Sequence, residues 1–174
     1  MAMPSDSDLL RRACSGDQIA FEELVSPHRR ALWGVCLRIT GDHYLAEDAL
    51  QDALLAAWRN LDRFRGDSAV STWLYRIASN AALAQVRRRR EEAVDAVPET
   101  ADEWADPQHT FAERDRVAEA LRHVPPDFRE ALVLREYGDF TYEQIAAHQH
   151  VGVQTVKSRL NRARAALRAA LAES

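Results

Sequence analysis

Residues 141–168, TYEQIAAHQHVGVQTVKSRLNRARAALR, decide the architecture. Thr141-Tyr-Glu-Gln144 is a capping box, in which the threonine oxygen takes an orphan backbone N–H and the glutamine side chain reaches back to the cap. It opens a short helix expected to end near Ala147. Residues 149–152 form a turn, and a final helix runs from about 153 to about 172. In that helix Val156, Leu160, Ala163, Leu167 and Ala170 recur at steps of three and four, the spacing of a buried stripe. Lys157, Asn161, Arg164 and Arg168 repeat those steps on another face, with Gln154, Thr155, Ser158, Arg159 and Arg162 nearby. A short capped helix, a four-residue turn and a second helix that begins polar and basic is helix-turn-helix grammar. The early residues, 154–162, would reach base edges and the later ones grip phosphates. Any amphipathic basic helix can show this pattern by itself, so the rest of the chain has to decide.

Working outward from this pair, helical periodicity continues upstream and strand signals are nearly absent. Residues 5–14 read as a first helix and 17–40 as a longer one, interrupted or kinked near Pro27, which lacks the interior N–H donor. Gly41-Asp42 ends that helix and caps the next, which reaches about Asn60. Residues 61–68 form a loop, and a further helix covers roughly 71–90. Residues 91–109 hold Pro98, Pro107, many acids and few apolar groups, and read as a linker. Fully extended, it could span about 60 Å. Thr110-Phe-Ala-Glu113 is another capping box, opening a helix to about Val124. Pro125-Pro126 breaks it, and the next helix covers about 127–137, ending at Gly138. The expectation is an all-α chain of two small helical domains, 1–90 and 110–174, joined by the acidic linker 91–109.

The 174 residues include 23 Lys+Arg and 27 Asp+Glu, a formal charge of −4 that conceals a segregation. Arg87–Arg90 are four consecutive cations, residues 91–113 carry eight acids and no Lys or Arg, and residues 153–174 carry five cations against Glu173. Two basic helix ends around an acidic connector suggest two modules facing a polyanion. No apolar run approaches the roughly 18–20 residues that span a bilayer. The start, MAMPSD, lacks the basic and apolar regions of a signal peptide, and with only Cys14 and Cys36 a disulfide scaffold is not expected. A cytoplasmic protein fits, with both cysteines packing as small apolar groups. Six scattered glycines cannot write a GxGxxG or Walker loop, and there is no HExxH or GxSxG. His148 and His150 lack a third ligand and read as turn residues, so no metal, cofactor or catalytic residue is assigned. A binding protein remains.

In the helix before Asn60, Leu50, Leu54, Ala57, Trp58 and Leu61 form the expected core stripe. The opposite side carries Asp48, Gln51, Asp52, Leu55 and Arg59, and a leucine among acids is a mark of a partner surface. In the helix after the loop, Val70, Leu74, Ile77 and Ala81 point inward, while Trp73, Arg76, Asn80 and Arg87 share a different face. Rings and cations interleaved on one face suit single-stranded nucleic acid, although Trp73 and Tyr75 read equally well as core aromatics.

These residues carry a resemblance. FRGDS (64–68) followed by TWLYRIA (72–78) and Asn80 closely resembles the promoter −10 reader of extracytoplasmic-function sigma factors of the sigma-70 family. AEDALQD (46–52) resembles the same family's preceding helix, which binds the RNA polymerase clamp. LRHVPPDFREALVL (121–134) and TYEQIA (141–146) resemble its C-terminal domain, and TVKSRLNRAR (155–164) its −35 recognition helix. The likeness covers roughly residues 8–90 and 110–172, with the acidic linker unmatched.

The resemblance implies a sigma-2-like helical bundle and a sigma-4-like helix-turn-helix, and a factor that confers promoter specificity without being an enzyme. The implied partners are core RNA polymerase at its clamp and flap, and promoter DNA, duplex and single-stranded; there is room for an anti-sigma factor and none for membrane insertion. Asp48, Gln51, Asp52 and Leu55 would dock on the clamp. Phe64, Arg65, Ser68, Trp73, Tyr75, Arg76, Asn80, Arg87 and Arg88 would capture the opened −10 strand. Gln154, Thr155, Lys157, Ser158, Arg159, Asn161, Arg162 and Arg164 would read the −35 duplex, and the linker would lie along a basic polymerase channel. One departure stands out: where the family's turn reads Leu-Gly-Val, this chain has Gln149-His150-Val151, which should loosen the hinge or retune its approach to DNA. Two other classes are a helix-turn-helix regulator, which would bring a receiver or ligand domain, and a helical adaptor or anti-sigma-like protein, which would lack the Trp/Arg/Asn face and the arginine run.

Overall fold

The computed structural model describes residues 5–95 and 112–173, and among them there are helices and turns but no strand. The first module holds α1 (Asp6–Cys14), α2 (Gln18–Val25), α3 (Arg29–Thr40), α4 (His43–Arg59), a 3-10 turn at Leu61–Arg63 and α5 (Val70–Asp95). The second holds α6 (Ala112–Arg122), α7 (Pro126–Tyr137), α8 (Tyr142–Gln149) and α9 (Val153–Glu173). Local chemistry sets most of these ends. The Asp17 carboxylate accepts the Ile19 and Ala20 N–H groups at 3.0 and 3.1 Å, opening α2. The chain turns at Ser26–His28 around Pro27, so the expected long helix is two helices. Gly41 sits left-handed at φ 69° and closes α3, and Asp42 accepts the Leu45 N–H at 3.0 Å to open α4. The box at Thr141 forms in full, with Thr141 N–H to Gln144 Oε1 at 2.8 Å and Gln144 N–H to Thr141 Oγ1 at 3.2 Å. The box expected at Thr110 lies outside the described residues.

Three expectations change. Helix α5 does not stop at Arg90 but continues to Asp95, so the first acids of the expected linker, Glu91 and Glu92, are helical. The inward face of α4 is an alanine spine, Ala46, Ala49, Ala53 and Ala57, with Leu50, Leu54 and Trp58 only flanking it. Helix α4 packs on both α3 and α5, and small side chains let the backbones approach where leucines would hold them apart. For the same reason Ala78 and Ala82 join Val70, Leu74 and Leu83 as buried apolar residues of α5, and Ile77 and Ala81 are half-buried. Cys36 is buried, its thiol pushed up to about 12 by desolvation, but Cys14 is exposed rather than packed.

The second module closes around Leu121, Val124, Leu134, Phe140, Ile145, Val156, Leu160 and Ala163. Leu167 packs on its margin and Ala170 is half-buried, so the α9 stripe is buried most deeply toward its start. The two modules do not stand apart. Helix α7 packs on α3 and α5 as well as on its own domain, and α6 touches α3. Val133 belongs to the first module's core, while its neighbours Leu132 and Leu134 belong to the second's. A Cβ on Gly41 would come 2.5 Å from the Arg122 Cγ, so the end of α3 lies directly against the second module.

Candidate nucleic-acid interface

Three surfaces carry the expected site residues. On α4, Asp48, Gln51, Asp52 and Leu55 all face solvent, with Leu55 52% exposed. They stand opposite the alanine spine, so the fold makes little use of that face. Asp52 is the exception, because its Oδ2 accepts from the Gln85 Nε2 at 2.8 Å and thereby satisfies a buried amide.

The second surface surrounds the loop before α5. Phe64 and Trp73 meet as tilted rings with centroids 5.3 Å apart, both half-buried against the first core. This contact props the 64–68 loop on the start of α5. Arg65, Asn80, Arg87 and Arg88 are exposed and Ser68 is half-buried. The Arg88 Nη2 donates to Gln85 Oε1 at 2.6 Å, and Arg89 pairs with Asp42 at 2.8 Å. Burial and Arg89, together with the N-cap hydrogen bond, act on Asp42: desolvation raises its pKa, but the Leu45 N–H and Arg89 outweigh it and hold the carboxyl below the usual range.

Tyr75 and Arg76 do not share that open surface. Tyr75 packs against both cores, and burial, with Asp139 of the second module adding to it, pushes its phenol up. The Arg76 guanidinium lies 5.8 Å from the centre of the Phe140 ring, and its Nε is buried with no hydrogen-bond partner.

The third surface is the start of α9. Gln154, Thr155, Lys157, Ser158, Asn161 and Arg162 are exposed, as a recognition helix requires. Arg159 and Arg164 are tied back. The Arg159 Nη1 donates to Gln149 Oε1 at 2.8 Å and its Nη2 lies 3.6 Å from Asp127. Arg164 pairs with Glu136 at 2.9 Å.

The turn between α8 and α9 differs from its expected looseness. His150 takes the left-handed conformation, φ 54°, that the family's glycine would favour. Gln149, at the leucine position, donates to the Asp127 carbonyl at 2.8 Å and to Glu130 Oε2 at 2.7 Å while accepting from Arg159. Polar bonds thus hold the hinge where an apolar contact was missing.

The sequence reading missed the centre of this network. Glu130 on α7 is almost fully buried; its Oε1 accepts from the Ser79 hydroxyl of α5 and meets the His148 Nε2 at 2.8 Å. Burial raises its pKa, but the bonds from His148, Ser79 and Gln149 outweigh desolvation and hold the carboxyl below the usual glutamate range. Beside it, buried Arg129 donates through Nη1 to the Ile39 carbonyl of α3 at 2.6 Å and through Nη2 to the Arg122 and Val124 carbonyls at 3.1 and 3.0 Å. Desolvation, with Arg122 and Arg90 adding repulsion, lowers its pKa to about 10, so it stays charged at neutral pH. A signal existed: Arg129-Glu130 is a charged pair inside an apolar helical run, FREALVL (128–134), where one face had to be covered.

Comparisons with known proteins agree with this layout. The Sigma-70 region 2 family model matches residues 24–92, and the Sigma-70 region 4 model matches residues 114–167. The chain is 36% identical over 186 residues to the RNA polymerase sigma-H factor of Pseudomonas aeruginosa, covering 98% of this chain and 96% of that protein. It is 37% identical to the ECF RNA polymerase sigma-E factor of Escherichia coli K12, over 94% of this chain and 92% of the other. Among solved structures it is similar to the sigma factor RpoE in complex with the anti-sigma factor NepR from Bartonella quintana, at 30% identity and a TM-score of 0.68 over 87% of this chain and 96% of that one. It is also similar to CnrH in complex with the cytosolic domain of CnrY, at 31% identity and a TM-score of 0.69 over 97% and 98%.

Proposed function

The chain belongs to the extracytoplasmic-function group of the sigma-70 family, and on that footing we propose which of its side chains carry out each part of promoter recognition. As an RNA polymerase sigma factor it directs core polymerase to promoters, with region 2 at the −10 element and region 4 at the −35 element. Sigma factors are non-catalytic initiation factors; in our reading this chain performs no chemistry of its own and leaves it to the polymerase. No helix among the described residues is long and apolar enough to cross a membrane. The proposed place of action is the cytoplasm, with the polymerase.

The observation that carries the assignment is the set of polar faces that neither core uses. The exposed α4 face, Asp48, Gln51 and Leu55 with Asp52 at its edge, docks on the clamp. The 64–68 loop and Asn80 receive an unpaired −10 base, with Trp73 as the wall behind them. Unstacking a base costs a few kcal/mol, which a ring-lined pocket offsets. Arg87 and Arg88 follow the backbone of the opened strand, joined by Tyr75 and Arg76 once these are uncovered. On α9 the six exposed residues from Gln154 to Arg162 enter the −35 major groove, and Arg159 and Arg164 brace the helix as well as reaching phosphate. The domain limits 1–90 and 110–174, with an acidic connector lying along the polymerase, belong to the same reading, as does an anti-sigma factor as a further partner.

The test is transcription in vitro with core polymerase over a promoter library. Initiation that depends on the chain, at templates sharing a −35 and a −10 element, supports the assignment. Strong binding of duplex DNA without polymerase, and no chain-dependent initiation, overturns it in favour of a helix-turn-helix regulator.

A further inference from the structure

We infer that Gln149, the last residue of α8, is a positioning residue for promoter recognition: acting through Arg159, it fixes the direction in which α9 enters the −35 groove and so sets how sharply the chain discriminates −35 sequences. The inference deepens the assignment of α9 to the −35 duplex and rests on it. Gln149 ties three helices together. Its Nε2 donates to the Asp127 carbonyl in the first turn of α7 and to Glu130 Oε2 further along that helix, at 2.8 and 2.7 Å. Its Oε1 accepts from Arg159 Nη1 at 2.8 Å. The amide thus fills three of its four hydrogen-bonding positions, where a leucine would fill none.

A helix held only at its start can swing about the turn before it, and a second point of attachment fixes its axis. Arg159 is that second point, about 9 Å along α9 from Val153 at a rise of about 1.5 Å per residue. Its Nη2 lies 3.6 Å from Asp127 and its guanidinium 6.0 Å from the centre of the Phe128 ring, so the start of α7 receives it alongside Gln149. Lys157 and Ser158 before it, and Asn161 and Arg162 after it, are exposed. The braced side chain therefore sits within the block that reads bases, and whatever fixes Arg159 fixes the reach of that block. The turn supplies less. His150 holds φ 54° without the freedom of a glycine, so the bonds made by its neighbour Gln149 help to maintain a conformation that costs a residue with a Cβ. A reader set in place beforehand gives up less freedom on binding and has less slack to adapt to a mismatched groove.

The experiment is transcription in vitro by the full chain with core polymerase, over templates varied at −35 or at −10. Gln149→Leu, and separately Arg159→Ala, should shrink the preference for the best −35 element over mismatched ones about tenfold, comparable with the loss of one base contact. The ranking of −10 elements should not change. The double variant should discriminate no worse than either single one, because both remove the same bond. A residue that only stabilises the domain would lower initiation on all templates alike and leave the −35 preference as steep as in wild type. That outcome, or a double variant whose loss is the product of the two single losses, overturns the inference. If Gln149→Leu fails to fold, Arg159→Ala decides alone: a shallower −35 preference with the −10 ranking intact supports the inference, and an unchanged −35 preference overturns it. A wild type that initiates with no −35 discrimination overturns the assignment of α9 itself, so the two failures are distinguishable.

Discussion

Helices α5 and α9 are written alike, with arginines, amides and hydroxyls at helical spacing opposite an apolar stripe, yet the fold treats them differently. On α9 six of the eight expected DNA contacts face solvent, and the other two are braced by Gln149 and Glu136 of their own domain. On α5 the corresponding face divides: Asn80, Arg87 and Arg88 are open, whereas Tyr75 and Arg76 lie against the second module. The physical difference is position in the fold. Helix α9 packs chiefly on α6, α7 and α8 of its own module, while α5 runs between both modules and meets α3, α4 and α7. Periodicity reveals that a face is not needed by its own domain; it does not reveal whether a neighbouring domain takes it.

The largest expected effect comes from a face both helices can be measured against. On α4, Asp48→Arg with Leu55→Glu should weaken core-polymerase binding at least about 100-fold, about 2.7 kcal/mol. Stability should move by only about 0.5 kcal/mol, since both positions are exposed. Asp52 is a poorer choice because its loss also strands the Gln85 amide. Binding by fluorescence anisotropy and melting by circular dichroism check both halves; a collapse of melting would make the face structural.

Next in size is a contrast within α9. Lys157→Ala or Arg162→Ala should change −35 base preference by roughly 1–3 kcal/mol at a contacted position and leave melting intact. Arg159→Ala should instead cost about 1 kcal/mol of stability, because it removes the bond to Gln149. A specificity profile unmoved by Lys157 and Arg162 would break the docking. Smaller again is Asn80→Ala, expected to lower open-complex formation on duplex promoters about tenfold, about 1.4 kcal/mol, and less on templates mismatched at −10. Equal losses on both templates would remove base capture from Asn80.

What could be read in the sequence was local. The Asp42 cap, the left-handed Gly41 and the Thr141 box each depend on residues within four positions, and each formed as the letters suggested. The α9 start was legible too, because its polar face stays exposed in the fold. Three features were not. The alanine spine of α4 is set by how closely α3 and α5 approach, which hydrophobic size does not encode. The tight hinge at Gln149 depends on Glu130 19 positions upstream and on Arg159 of the recognition helix. The covering of Tyr75 and Arg76 depends on Asp139 and Phe140, more than 60 positions away in sequence. All three are long-range packing decisions.

The finest distinction concerns acid. Glu130 sits at the meeting point of the two regions, with Ser79 from α5 and His148 and Gln149 from α8 around it and Arg159 one bond further out through Gln149. Its carboxyl is held below the ordinary glutamate range despite burial, so the native protein binds its proton more weakly than the unfolded chain does. The sign follows: the contribution is fully present above the unfolded value, about 4.3, and is lost as pH falls from there through the lower native value. Melting temperature should therefore fall more steeply between pH 5 and about pH 3 in wild type than in Glu130→Gln, which has no carboxyl to protonate there. Glu130→Gln also starts lower at neutral pH, having lost charge-assisted bonds, so the comparison is of slopes and not of values. Parallel slopes for the two proteins would mean that Glu130 titrates as an ordinary surface acid, and the buried junction it anchors would lose its electrostatic basis.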